Sequence, residues 1–337
     1  MAFEENEISK NSQGGTESVK RGLAERLPEG LADDFQIICS RVRKIEEDKI
    51  RVYWLHDLPE DPETNHLKDQ NSRDRFHKRV YCSNWQYQRY QLVCGFPYDK
   101  NDIVIETPID PIPEEEIEKD KDQIRLIYTS TPQRGLNILV PVVEELAKEH
   151  KDIHLDVFSS YKIYGWEDSD KQFEPLYDRI RKHPNMTYHG FQPNEKVKDA
   201  LKRSHIFAYP NIWLECNSRS LIEAMSAKNM CVHPNLGGLA DTSGSLTFQY
   251  QGDHNNNEHA SIFFHALKQA VNGIKNEPEN TNGYLSFIKA YADTRFNWNK
   301  IVTQWTDLLV GLKAQYPDVN SRKLPNAKVE KFTYDTN

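Results

Sequence analysis

Apolar and polar positions along the chain follow two alternating rhythms. Short continuous apolar runs at residues 35–39, 51–55, 79–83 and 103–106 predict buried strands, as do 124–128, 154–158, 186–189, 206–209 and 230–233. Between them, apolar residues recur at every third or fourth position, the spacing of a helix with one buried stripe. Val19, Leu23 and Leu27 mark such a helix over 18–27, and 136–149, 171–182, 195–203, 217–227, 260–272 and 298–312 read the same way. Strands alternating with helices predict an α/β protein with mostly parallel sheets. Pro108, Pro111 and Pro113, followed by the charged run 114–122, predict a linker. It divides residues 1–113 from residues 120–297. No repeat of solenoid period is present.

The richest segment is 204–244. A strand ending Ala208-Tyr209 is stopped by Pro210, Glu215 falls in the turn, and Glu223 sits inside the helix with Leu221, Ala224 and Met225 on its buried side. A strand and the loop Asn235-Leu-Gly-Gly238 follow. The N–H groups of Asn217, Ser218 and Arg219 at the helix start favour an anion. Hydroxyl acceptors at each end of an electropositive cradle suit a sugar joined to a diphosphate, so the segment reads as a nucleotide-sugar site.

Two Glu separated by seven residues, with Tyr-Pro before them and Glu-Ala-Met, a strand and Gly-Gly after them, resemble a known signature. It is the donor site of the retaining GT-B glycosyltransferases of family four, the group 1 glycosyltransferases. The resemblance covers nearly the whole chain and implies two Rossmann-like domains facing across a cleft. Residues 1–113 would form the acceptor domain and 120–297 the donor domain. Arg295-Phe-Asn-Trp298 would open a C-terminal helix, within 298–330, that crosses back to the first domain.

The same resemblance implies residue roles. Arg134, in Thr129-Ser130-Thr-Pro-Gln-Arg134-Gly135, binds the donor diphosphate, with Ser130 beside it. Glu223 accepts from ribose hydroxyls, and Glu215 accepts from sugar hydroxyls or steadies charge near the anomeric carbon. Asn217 and Ser218 donate to sugar and phosphate, while Leu221 packs beside the nucleotide or in the core. Phe191 and Gln192, after Gly190, meet the nucleobase through their backbone. Gly14 and Gly15 permit close backbone approach. His56, in Tyr53-Trp-Leu-His56-Asp-Leu-Pro59, faces the sugar or is structural, and Ser83-Asn84-Trp85 lines the acceptor side. His56, Arg134 and Glu215 are the catalytic candidates. The implied reaction is metal-independent, with the nucleotide-sugar as co-substrate and no separate cofactor. Departures from the family are the polar stretch 2–13 where a first strand is usual, Thr129 and Ser130 where a second Arg is common, and Cys216-Asn217 where Gly or aromatic residues are frequent.

Composition narrows the field. The chain has 337 residues, 37% of them hydrophobic, enough for two modest cores. No apolar run approaches the ~18 residues of a membrane span. An acidic N-terminus argues against a leader, and five Cys without paired spacing predict reduced thiols in a cytoplasmic protein. Net charge is −8, and residues 1–113 carry 16 basic against 21 acidic side chains, or −5, which argues against nucleic acid as a bulk electrostatic partner. Locally Lys68, Arg73, Arg75, Lys78 and Arg79 outnumber Asp69 and Asp74. That stretch reads as a solvated helix face, or as a weak peripheral contact with a lipid headgroup or an acidic acceptor. Asp168-Ser-Asp170 is too short in isolation to define a metal site, and no zinc spacing occurs. The acceptor class stays open among saccharide, lipid-linked and protein hydroxyls. A non-catalytic nucleotide-sugar sensor or scaffold, or a GT-B epimerase, are the alternatives, since fold alone does not decide function.

Overall fold

The computed structural model describes residues 14–252 and 256–325. These form two compact units, one from the chain up to Pro108 together with the chain from Trp298, the other from Ile109–Asn297. The first unit opens with α1 (Gly15–Arg26) and continues through β1 (Phe35–Cys39), β2 (Ile50–Leu55), the short α2 (Gln70–Arg73), β3 (Lys78–Tyr81), α3 (Asn84–Cys94) and β4 (Asp102–Val104). Its strands lie in the order β1-β2-β3-β4, all parallel, with Cys39 opposite Trp54 and Leu55 opposite Tyr81. Every residue of β1 and β2 is buried, and each reads as an apolar run broken by a single polar residue, Gln36 or Arg51. The further strand sought in 2–13 lies outside the described residues.

The basic stretch 68–79 is not a solvated face. Arg73, Arg75 and Arg79 are all buried. Arg79 donates through Nε to Asp102 at 2.6 Å, through Nη2 to Asp99 at 2.7 Å and through Nη1 to the Arg73 carbonyl at 2.9 Å. Burial opposes its charge, but the two carboxylates outweigh that and raise its pKa. Arg73 in turn donates to the Leu67 carbonyl and Gln70 and lies over the Phe96 ring. These cations knit the connection before β3 onto the sheet, which leaves only Lys68 and the half-buried Lys78 for outside partners.

The second unit holds β5 (Ile124–Tyr128), α4 (Leu136–Glu149), β6 (Ile153–Val157), α5 (Glu174–Lys182), β7 (Met186–Tyr188), α6 (Asn194–Arg203) and β8 (Ile206–Ala208). It continues with α7 (Arg219–Ser226), β9 (Met230–Pro234), α8 (Leu239–Ser243), β10 (Phe248–Tyr250), α9 (Asn256–Asn276) and α10 (Pro278–Arg295). The sheet order is β10-β9-β8-β5-β6-β7, again all parallel. The chain winds outward from β5 in one direction, then returns to β8 and winds outward in the other. In such sheets ligands bind beyond the carboxyl ends of the two strands at the reversal, here β5 and β8.

The proline-rich segment behaves less as a linker than as a belt on the second unit. Ile109 and Ile112 are buried in its core. Ile109 N–H donates to the Phe296 carbonyl at 2.7 Å and Ile112 N–H to Ser226 Oγ at 2.9 Å. Within the acidic run, Lys119 donates to the carbonyls of Ser204 and Ala227, while Glu114 and Glu116 pair with Lys228 and Lys202. A run of charges in sequence thus has its partners on the adjoining helices.

The last described helix, α11 (Trp298–Gln315), returns to the first unit. Trp298, Ile301, Trp305, Leu309 and Leu312 fill one core with Val19, Leu23, Phe35 and Ile37. Trp305 meets Trp54 edge-on at 4.7 Å. Among the described residues no helix is long and apolar enough to cross a membrane.

Truncating one partner of a buried ion pair leaves the other charge uncompensated. Asp102→Ala is therefore expected to destabilise the first unit by about 3–5 kcal/mol. Denaturant unfolding should show the loss, and Asp69→Ala, at an exposed position, should stay within about 1 kcal/mol of wild type, allowing for its short helical cap.

Candidate active site

The loops after β5 and β8 meet at the reversal point, and a glycine allows it. Gly135 has φ +104°, and a β-carbon there would stand 2.0 Å from the Pro210 carbonyl oxygen. Arg134, the residue before it, closes a single helical turn, Pro132–Arg134. Its Nη1 donates to Glu215 Oε1, and the Tyr209 hydroxyl donates to the same oxygen at 2.7 Å. Ser130 Oγ lies 3.5 Å from the Tyr209 oxygen, a marginal contact. A third loop, after β9, clamps the arrangement: Gly238 N–H donates to the Glu215 carbonyl at 2.7 Å, and a β-carbon on Gly238 would come within 2.4 Å of the Cys216 carbonyl oxygen.

The electrostatics follow from that geometry. Burial works against the Arg134 charge, but Glu215, then Tyr209 and Tyr164, hold its pKa well above the ordinary value. Burial and the Glu215 charge push the Tyr209 phenol up likewise, so it remains a proton donor. Glu215 is 7% exposed, and its Oε1 is already occupied. The arrangement therefore gives Glu215 a task the sequence reading did not: it orients Arg134. Arg134 Nε, Thr129 Oγ1, Thr131 Oγ1 and Gln133 Oε1 are enclosed without a partner among the described residues. Buried polar atoms without partners are rare in folded proteins, which marks this loop as an unusual one.

Glu223 lies buried on α7, where Arg219 Nε donates to its Oε1 at 3.1 Å and Asn194 Nδ2 at 3.3 Å. Ser218 is the residue preceding the helix, its Oγ 3.2 Å from Ser220 Oγ, and half-buried Asn217 adjoins it. Leu221 is wholly buried in the core. It has no surface to offer a nucleotide, so of its two readings the core one stands. After β7, Gly190 turns the chain, Phe191 is half-buried, and the Gln192 side chain donates to the His189 carbonyl at 2.9 Å.

The remaining candidates belong to the first unit and are described there by themselves. Gly14 precedes α1 and Gly15 opens it; a β-carbon on Gly15 would meet nothing within 4 Å, so packing does not require that glycine. His56 follows β2, its ring 4.7 Å from Trp54 and its Nδ1 3.4 Å from Cys82 Sγ. Burial pushes its pKa down to about 3, so the imidazole is neutral at physiological pH. Ser83 accepts from Gln86 N–H at 3.0 Å as the cap of α3, a structural use of a residue read as acceptor-lining.

Asp168 and Asp170 have separate occupations. Asp170 accepts from Ser160, the Tyr161 N–H and Tyr177, while Asp168 pairs with Lys171 in solvent. Among the described residues no three His, Cys, Asp or Glu side chains gather as a metal-holding group. Tyr209 and Asn194 were not singled out from sequence, and Arg219 only for its backbone N–H. Arg219 was the most accessible of them, since it stands four residues before Glu223 on one helix face.

Two parallel α/β units, with a cation, carboxylates and clamped loops at the reversal point of the second, define a GT-B protein. Residues 110–261, most of the second unit, match the family "Glycosyl transferases group 1". A glycosyltransferase from Rickettsia africae superposes with a TM-score of 0.66 at 14% identity, covering 92% of this chain and 84% of that one. HepE of Anabaena, in complex with UDP-glucose, superposes with 0.58 at 19% identity over 78% of this chain and 72% of that one. Sucrose-phosphate synthase of Thermosynechococcus elongatus gives 0.62 at 15% identity, with 79% and 68% covered. No curated protein sequence matches the chain.

Gly165 has φ +75° with open space around it, whereas Gly135 combines positive φ with a backbone clash. Both Gly→Ala changes meet backbone strain of about 1 kcal/mol. Gly135→Ala is expected to cost about 1–3 kcal/mol beyond Gly165→Ala, because only it must also displace packed backbone. Thermal unfolding of the two variants side by side measures the difference.

Proposed function

We propose that the protein is a retaining, metal-independent glycosyltransferase acting in the cytoplasm. It moves a hexose from a UDP- or GDP-sugar to a hydroxyl of a saccharide, lipid-linked or protein acceptor. The observation that carries this reading is the Arg134–Glu215–Tyr209 cluster at the carboxyl ends of β5 and β8. Transfer breaks the bond between the anomeric carbon and the diphosphate oxygen, so negative charge grows on the leaving group. A cation already fixed in place stabilises that charge without reorganising. Glu215 and Tyr209 fix Arg134, and the guanidinium fork retains donors for phosphate oxygens. Glu223 would accept from the ribose hydroxyls, held in turn by Arg219 and Asn194.

Retention would follow attack from the face the diphosphate leaves. The acceptor oxygen bonds to the anomeric carbon, and its proton passes to the departing diphosphate. No side-chain nucleophile is then required. Neutral His56 would serve as a hydroxyl ligand rather than as a cation. UDP-sugars are the first donors to test, because HepE, which shares the fold, binds UDP-glucose.

Binding heats and slow hydrolysis across UDP-, GDP- and ADP-sugars, with and without EDTA, test the reading. One donor should bind and release nucleotide at a rate EDTA leaves unchanged. Arg134→Ala should lower turnover about 10²–10³-fold, as loss of a charge-stabilising donor does elsewhere. Glu223→Ala should weaken donor binding by about tenfold or more, the scale of a lost charged hydrogen bond. Binding without release under any acceptor would identify a sensor instead, and no binding to any donor would end the reading.

A further inference from the structure

Trp213 exposes 51% of its surface, although indole is among the largest apolar groups a protein can leave in water. Its backbone is nevertheless tightly held. Asn211, wholly buried, donates from Nδ2 to the Trp213 carbonyl at 2.6 Å and accepts at Oδ1 from the Trp213 N–H at 3.0 Å. Asn211 N–H is itself tied to the Tyr209 carbonyl at 2.8 Å. One enclosed amide thus satisfies both main-chain groups of an exposed tryptophan. On either side the chain turns inward: Ile212 packs against the core, and Glu215 reaches Arg134.

Trp166 offers a contrast. It is also exposed, at the end of the short turn after β6, with its ring 5.3 Å from Tyr164. Its N–H donates to the Tyr161 carbonyl at 3.3 Å, a main-chain contact without a side-chain bracket.

An exposed aromatic side chain on a fixed stretch of backbone, two residues along the chain from Glu215, suits a pyranose ring. The C–H face of such a ring packs on indole while its hydroxyls stay in water, and a pre-fixed platform avoids the entropy cost of ordering a loop. We propose that Trp213 is the platform on which the acceptor stacks a terminal hexopyranose, which makes the natural acceptor a saccharide. The inference rests on the glycosyltransferase reading above. It assigns the acceptor rather than the donor because the donor's charge must reach Arg134, whose side chain is only 22% exposed. A neutral ring needs no such cation and can bind at the surface, where Trp213 is exposed.

The test uses the full chain and the sugar nucleotide that wild type hydrolyses. The acceptors are methyl α- and β-hexopyranosides, maltose and cellobiose. Trp213→Ala should leave UDP affinity and acceptor-free hydrolysis within twofold of wild type and raise the saccharide KM at least tenfold. Trp213→Phe should fall between, and Trp166→Ala should match wild type. A Trp213→Ala KM within twofold of wild type would overturn the proposal. So would a parallel loss of UDP affinity, which would put the indole in the donor pocket, or wild-type transfer to none of these saccharides. Wild type that neither binds nor hydrolyses any sugar nucleotide would overturn the underlying reading as well, and that shows before any variant is made.

Discussion

Gly135 touches the carbonyl of Pro210 where the ends of β5 and β8 converge, at a distance that leaves no volume for a β-carbon. The loops must come this close for Arg134 to reach Glu215, since the two residues arrive on different strands with eighty positions between them. Gly238 repeats the device from the other side, against the backbone of Cys216, while its N–H fastens the Glu215 carbonyl. Three loops are thereby locked by main-chain contact. The side chains are free to point where chemistry requires, and their positions do not depend on the mobility ordinary loops have.

Buried charge in this chain is handled by one rule. Arg79 has two carboxylates and a carbonyl, Lys119 has a set of carbonyls, and Arg134 has a carboxylate shared with a phenol. Arg134 stands apart by its place, at the reversal of the strand order where the loops after β5 and β8 meet. Burial and charge alone do not separate a structural cation from a functional one, and position in the fold is the better guide.

Much of the second unit was legible because its central strands are mostly buried and helices such as α4 carry one apolar stripe. The periods of β5, α4 and α6 sit within a residue of the folded elements. The α3 helix was not legible: its buried positions are Gln86 and Tyr90, so no apolar stripe marks it. The β10 strand has three residues and α10 a mixed surface, and both gain their order from neighbours rather than from their own pattern. At the site, the two Glu and Arg134 were found through their resemblance to the family's motifs. The orienting role of Glu215 was not, because it depends on which oxygen faces which donor. The cationic stretch 68–79 misled for the same reason, since its partners Asp99 and Asp102 lie on the far side of α3 in sequence.

The order in which the chain is made has a bearing on how it folds. The core of the first unit is assembled from both ends: Val19, Phe35 and Trp54 come early, whereas Trp298, Ile301, Trp305 and Leu309 come near the end. A chain emerging from the ribosome exposes the early half of that core throughout synthesis of the second unit, which is one continuous stretch, Ile109–Asn297. The inner unit is therefore free to fold first, and the outer one closes only when α11 is released. A truncation that removes the last helix would leave Arg134, Tyr209 and Glu215 all encoded, yet strand an apolar sheet face without its cover.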